Sequence, residues 1–146
     1  MDVIERTREI VQRFPRIAEA LGTVHVDLTD PLPDSYGLSS VGDALLREDV
    51  LGDQTRQHSF ILYTVYSSMN DYERLHNSSA LLELAHWLEG QTGASVESLR
   101  GSGIITEIRA ENGMLYDIPQ EDGAAGVRYQ LHIIVTYTVK KEDHYA

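Results

Sequence analysis

The segment 127–139 alternates apolar and polar residues without a break, and this pattern constrains the fold more than any other. A period of two is typical of a strand, because successive side chains point to opposite faces. The segment is far longer than the roughly 5–6 residues of a common strand. We therefore expect a strand that bends, or that runs past its own sheet toward a neighbouring subunit. Its apolar face carries Val127, Tyr129, Leu131, Ile133, Val135, Tyr137 and Val139.

Two helices are predicted from apolar residues that recur at spacings of three and four. The first covers residues 2–21, where Pro15 removes a backbone donor, so we expect a kink or a restart there. The second begins at Asn70 and ends at Gly90, a typical helix terminator. Its expected core stripe consists of Leu81, Leu84, Ala85 and Leu88.

Further strands are predicted over residues 23–28 and 56–67, and the second of these is apolar on both faces, as in a central strand. Two more, over 104–110 and 114–118, flank a central Asn-Gly pair, which is a strong hairpin signal. The predicted fold class is α+β. We expect one mixed or antiparallel sheet of about five strands with two main helices packed against it.

Residues 29–57 show no sustained apolar period and contain two prolines and three glycines. We predict a long loop or arm here, with one short helical turn over 43–50. A loop of this length is either a poorly ordered insertion or a functional, partner-binding arm. The chain is otherwise predicted to form a single domain over residues 1–146, with a flexible tail at 141–146.

Charge and composition exclude several classes of function. The chain of 146 residues carries 23 acidic against 12 basic side chains, a net charge of −11, and no cysteine. The absence of a basic stripe disfavours gripping of nucleic acid or of an anionic membrane. Disulfides and thiolate metal sites are excluded. No signal peptide or long apolar run is visible, so we expect a soluble protein that stays where it is made.

No motif in the sequence assembles a catalytic, metal or cofactor site. Glu73 and His76 form a Glu-x-x-His pair, as do Glu83 and His86, but the pairs lie on one predicted helix, about 15 Å apart along its axis. One metal centre cannot bridge them. Ser102 lies between two glycines but lacks the spacing of a nucleophile elbow. We therefore predict a protein that is not an enzyme, with no catalytic residues, no metal and no cofactor.

Three stretches carry a resemblance to a known family. They are residues 49–57 running into the strand at 60–62, the helix over 77–89, and the last strand with Tyr129-Gln130-Leu131 and Thr136-Tyr137. Their order and spacing resemble the tail terminator (tail completion, or minor capsid-like) proteins of long-tailed and contractile phages and prophages. The resemblance covers roughly residues 3–140.

This resemblance implies a structural protein of virion assembly that forms a ring, usually a homo-hexamer, on the head-proximal end of the tail tube. Such a ring stops tube polymerisation and offers a docking surface to the neck or connector protein. DNA passes through its lumen without specific binding. The net charge of −11 is consistent with this, because an acidic channel would repel the passing DNA backbone. The implied location is the virion tail, assembled in the cytoplasm of the bacterial host.

Two alternatives remain open beside the ring. One is a related head–tail neck or adaptor protein, or a soluble non-catalytic module that binds a protein through residues 29–57. The other is a small enzyme whose site is built between subunits. Neighbouring genes for tail tube, sheath or tape measure would favour the ring.

Candidate interface residues in the ring interpretation are Leu51, Gly52, Asp53 and Arg56. Arg56 is one of few bases, and an arginine that faces an acid of a neighbouring subunit is a common anchor. We expect an Arg56→Glu variant to impair assembly while the subunit stays folded. Native mass spectrometry and circular dichroism would measure the two effects, and unchanged assembly would remove the prediction.

Overall fold

The computed structural model describes residues 1–19, 24–26, 35–66, 71–117 and 127–141. The helices within these ranges are α1 (Val3–Gln12), α2 (Pro15–Glu19) and α3 (Asp71–Glu89). The strands are β1 (Val24–Val26), β2 (Ser35–Glu48), β3 (Gln54–Tyr66), β4 (Ser95–Glu97), β5 (Ser102–Asp117) and β6 (Val127–Val139). The predicted α+β class is confirmed.

Strand β6 lies inside the sheet, whose order is β1-β2-β3-β6-β5-β4. It pairs with β3 along its whole length, from Val127 opposite Tyr66 to Val139 opposite Gln54. Strand β5 pairs with its other side, and only the β1–β2 pair is parallel within the described sheet. The predicted bounds of this strand are confirmed. The expectation that it runs past its own sheet is wrong, because β3 pairs with all of its residues.

The sheet is curled. Arg100 lies in the turn between β4 and β5, and its guanidinium contacts Glu48 and Gly52 near the turn between β2 and β3. Only β6 separates β3 from β5, so these two turns lie at the same end of the sheet, two strand spacings or roughly 10 Å apart.

The core lies between the sheet and the helices. The predicted stripe of α3 is confirmed, because Leu81, Leu84, Ala85 and Leu88 are all buried. Phe14, at the junction of α1 and α2, meets Trp87 of α3 edge to face at 5.4 Å between ring centroids. The apolar side chains of β6 also face this core: Tyr129, Leu131, Ile133, Val135, Tyr137 and Val139 are buried.

The first helix begins at a capping residue and is interrupted where its proline predicts. The Asp2 carboxylate accepts a hydrogen bond from the Glu5 amide at 2.9 Å. A new helix, α2, begins at Pro15, so the predicted restart is confirmed. Arg8 Nε donates to the Val24 carbonyl oxygen at 2.7 Å, which ties α1 to β1.

The predicted long loop at 29–57 is wrong over its described part, as is the helical turn at 43–50. Residues 35–48 form β2, which pairs antiparallel with β3. Register shifts around Val41 and Leu46 each insert one extra residue. A bulge displaces the alternation of side chains by one position, so the strand shows no sustained period of two. Residues 29–34 lie outside the described chain.

The predicted hairpin at Asn112-Gly113 is also wrong. Strand β5 continues through these residues, with Glu111 opposite His132 and Met114 opposite Gln130. The shift of one residue is a bulge in a continuous strand, a structure that also uses turn-forming residues. The predicted tail lies outside the described residues, apart from its first residue, Lys141. Among the described helices, none has the length and apolar character to cross a membrane.

Replacement of single leucines of α3 by alanine distinguishes the buried stripe of the helix from its exposed side. Leu84 is fully buried, so we expect Leu84→Ala to lower the free energy of unfolding by about 3 kcal/mol. Leu82 on the same helix is 57% exposed, and Leu82→Ala is the matched control with little expected loss. Urea unfolding followed by Trp87 fluorescence measures both. Equal losses would contradict the packing described here.

Candidate interaction arm and its polar cluster

Residues 41–53, the end of the β2–β3 hairpin, form an exposed element that we call the arm. Strand β1 covers β2 only from Tyr36 to Leu38, so the outer edge of the arm has no partner strand among the described residues. The large apolar side chains of the arm are exposed: Val41 59%, Leu45 47%, Leu46 53%, Val50 102% and Leu51 75%. Single exposed apolar residues are ordinary, but a contiguous group marks a site of interaction.

The tip of the arm is a well-defined turn. Asp49 Oδ1 accepts hydrogen bonds from the backbone amides of Leu51 at 2.9 Å and Asp53 at 3.0 Å. Gly52 has a φ of +88°, which favours glycine, and an added Cβ would lie 2.7 Å from the Lys141 side chain. The exposed side chains at the tip are therefore presented on an ordered backbone.

Contacts from distant parts of the chain hold the arm in place. Arg100 Nη2 donates to Glu48 Oε1 at 3.0 Å and to the Gly52 carbonyl oxygen at 3.2 Å. The Lys141 amide donates to Asp53 Oδ1 at 2.9 Å. The segment after β4 and Lys141, just after β6, thus both hold the arm in place.

A polar cluster lies at the base of the arm. Asp43 Oδ1 accepts from Arg56 Nε at 2.6 Å. Asp43 Oδ2 accepts from the Tyr137 hydroxyl at 2.5 Å and lies 2.8 Å from His58 Nδ1. One carboxylate therefore joins β2, β3 and β6, immediately after the bulge at Val41.

The electrostatics of the cluster favour an ionised Asp43. Partial burial acts to raise the pKa of Asp43, but the hydrogen bonds from Tyr137, Arg56 and His58 outweigh it, and the pKa lies below its ordinary value. Burial and the adjacent Asp43 raise the pKa of Tyr137 well above its usual range. The hydrogen bond to Asp43 raises the pKa of Arg56. At neutral pH Asp43 is therefore a carboxylate that accepts hydrogen bonds from a charged guanidinium and a neutral phenol.

The side chains of Ser40, His58 and Asp43 are connected in the same order as the Ser-His-Asp triad of serine hydrolases. Ser40 Oγ lies 2.6 Å from His58 Nε2, and His58 Nδ1 faces Asp43. A hydrolase further needs an oxyanion hole and a cleft for the acyl group. The clefts beside the arm, beside α3 and on α1 are lined by other residues. The hydrogen bonds between Asp43 and residues of β3 and β6 join three strands, and we call them the brace.

Sequence reasoning missed this cluster because Ser40 and Asp43 fell in the predicted loop. The signal that could have found it is the polar His58 at an inward position of a predicted central strand. A buried imidazole on an apolar face needs hydrogen-bond partners.

The predicted interface residues occupy different environments. Leu51 is exposed at the tip of the arm, whereas Gly52 and Asp53 are half-buried within the turn. Arg56 lies at the base and donates to Asp43 and, at 2.8 Å, to Gln54 Oε1. An Arg56→Glu variant would place two carboxylates together, so the expectation of an intact fold needs revision. The interface role of Leu51 stays a prediction.

A second surface lies between α3 and β5, and we call it the α3 cleft. Its volume is about 330 Å³. Leu81, Ala85 and Leu131 form a buried apolar lining, while Leu82 and Glu111 stand exposed at its sides. Elsewhere in the described ranges, no group of three or more histidine or acidic side chains could hold a metal ion.

Comparison with known proteins adds no assignment. No protein-family model matches the chain, and no curated protein matches it significantly. The functional argument therefore depends on the fold, the arm, the α3 cleft and the charge of the chain.

Removal of the central carboxylate tests the brace. We expect Asp43→Asn to lower the free energy of unfolding by about 2 kcal/mol at neutral pH, because hydrogen bonds to a charged group are lost. The lowered pKa of Asp43 means that its contribution is present above the ordinary value of 3.8 and disappears as pH falls through the folded-state value. Urea unfolding at pH 7 and at pH 3 measures the difference.

The matched control is Ser40→Ala, which leaves every contact of Asp43 in place. We expect a smaller loss that varies little between the two pH values. If Asp43→Asn cost as much at low pH as at neutral pH, the ionised carboxylate would not be the stabilising group.

Proposed function

We propose that the protein is a phage tail terminator subunit, which forms a ring on the head-proximal end of a tail tube. In this role it stops tube polymerisation and presents a surface to the neck. The partners are further copies of the chain, the tail-tube protein and a neck or connector protein. Its location is the virion tail, after assembly in the cytoplasm of the bacterial host.

The exposed apolar arm is the observation that carries this proposal. Its side chains are ordered by the turn at Asp49 and by the tethers from Arg100 and Lys141, yet the described chain leaves them exposed. A fixed group of exposed apolar side chains is costly to leave in water and suits a surface that is covered on assembly. The sequence resemblance favours a ring as that assembly.

The charge of the chain supports the same function. A ring of subunits that each carry −11 has a strongly negative field, which opposes adhesion of a DNA backbone. This charge is compatible with passage of DNA that is not bound. The arm would equally serve a neck or adaptor protein, so the behaviour of tail tubes decides between the two.

The test is polymerisation of the tail-tube protein encoded nearest to its gene, with and without this protein. We expect shorter tubes of uniform length with a ring at one end, visible by negative-stain electron microscopy. Native mass spectrometry at moderate salt, which screens repulsion between acidic chains, should show a closed oligomer. Uncontrolled tube length with no protein at the ends would reject the proposal in favour of an adaptor.

Two matched variants test whether ring formation and capping depend on the arm. Leu51→Asp places a charge on the exposed tip, so we expect a folded subunit that neither forms rings nor caps tubes. Ile4→Asp places the same charge on a partly exposed residue of α1, 37% accessible, and should leave both activities intact.

A further inference from the structure

We infer that the arm of one copy docks into the α3 cleft of the next copy. This contact rests on the proposed ring and names its subunit interface. The two surfaces differ, so the contact is head to tail, and a head-to-tail contact generates a ring when its rotation closes.

The two surfaces are complementary in polarity. The arm carries the exposed Leu45 and Leu46, whereas the cleft is recessed between α3 and β5. Its buried lining is apolar, and Leu82 at its side is 57% exposed. Burial of these leucines in an apolar cleft removes both surfaces from water.

The arm cannot fill the cleft of its own chain. Leu45 lies opposite Arg56, and Arg56 lies opposite Tyr137, so Leu45 is level with Tyr137 of β6. The cleft is level with Leu131 of the same strand, which lines it. Six strand residues separate these two levels, or roughly 20 Å along β6. A second copy is needed to bring the surfaces together.

Two exposed charges of opposite sign, one at each site, also favour a second copy of the chain as the partner. Arg47 on the arm and Glu111 beside the cleft are both exposed, and neither forms an ion pair within the described chain. Arg47 lies next to Leu46, and Glu111 next to Ala110, which also lines the cleft. Docking of Leu46 into the cleft would bring these opposite charges close to each other at the rim.

The bulges of β2 favour docking through side chains over addition of a strand. The extra residues at Val41 and Leu46 interrupt the ladder along β2. Bulged edges are a common means by which proteins prevent pairing of exposed strands. The side chains at both bulges are more than half exposed and are available to a partner.

Engineered cysteines test the contact directly, because the chain has no cysteine of its own. The variant Leu46→Cys/Leu82→Cys is oxidised, both free and bound to tail tubes, and separated on a non-reducing gel. A disulfide requires Cα atoms within about 7 Å, so only a close contact reacts. We expect a ladder of covalent oligomers that extends beyond the dimer.

Three controls separate this contact from others. Leu46→Cys alone and Leu82→Cys alone should stay monomeric on the gel, because each lacks its partner. Leu46→Cys/Ile4→Cys should also fail to form a ladder. Dimers from Leu46→Cys alone would indicate an arm-to-arm contact and would overturn the inference.

Charge reversal tests the orientation. Arg47→Glu and Glu111→Arg should each weaken ring formation several-fold, and the double variant should restore it. No recovery in the double variant would show that these two side chains do not meet.

The outcomes keep this inference and the proposed function distinct. Rings that cap tubes but give no Leu46–Leu82 cross-link, free or bound, would overturn the inference and leave the function standing. Failure to form rings and to cap tubes would reject the function itself. A covalent ladder without tube capping would support the contact in an assembly of another kind.

Discussion

The ladder between β3 and β6 is the constraint on which the rest of the structure depends. Both strands are paired over their full length, so their inward side chains alternate in a fixed register. One level of this register, at Phe60 and Ile133, forms part of the core, and another, at Arg56 and Tyr137, supplies donors to Asp43. The same two strands thus supply apolar packing to the core and polar contacts to the base of the arm.

The hydrogen bonds of Asp43 compensate for the strand pairing that the bulge at Val41 disrupts. A bulge at Val41 loosens the ladder at the position where the arm leaves the part of β2 that β1 covers. A carboxylate that binds donors from two further strands replaces the lost backbone contacts with directional ones. The contact between Ser40 and His58 follows from the same arrangement. Asp43 contacts one ring nitrogen of His58, and the other nitrogen faces the Ser40 hydroxyl.

The sequence predicts those parts of the fold whose periodicity is undisturbed. The last strand, the stripe of α3 and the restart at Pro15 follow from local patterns and are confirmed. Strand β2 and the continuous β5 were missed for one shared reason, a bulge that shifts the alternation. The polar cluster could not be predicted, because its members come from three strands and their proximity depends on register. The loop predicted at 29–57 is a strand over residues 35–48, and its role in binding a partner stays a prediction.

The arm and the charge of the chain together explain why assembly would be conditional. Copies that each carry −11 repel one another at long range, and this repulsion is screened within about 10 Å at moderate salt. Apolar contact acts only at short range, so in the proposed ring the exposed arm would stabilise the assembly only after the copies have been brought together. A tail tube would supply that proximity, because its symmetric end holds several copies side by side. A subunit built in this way would close into a ring preferentially where a tube ends.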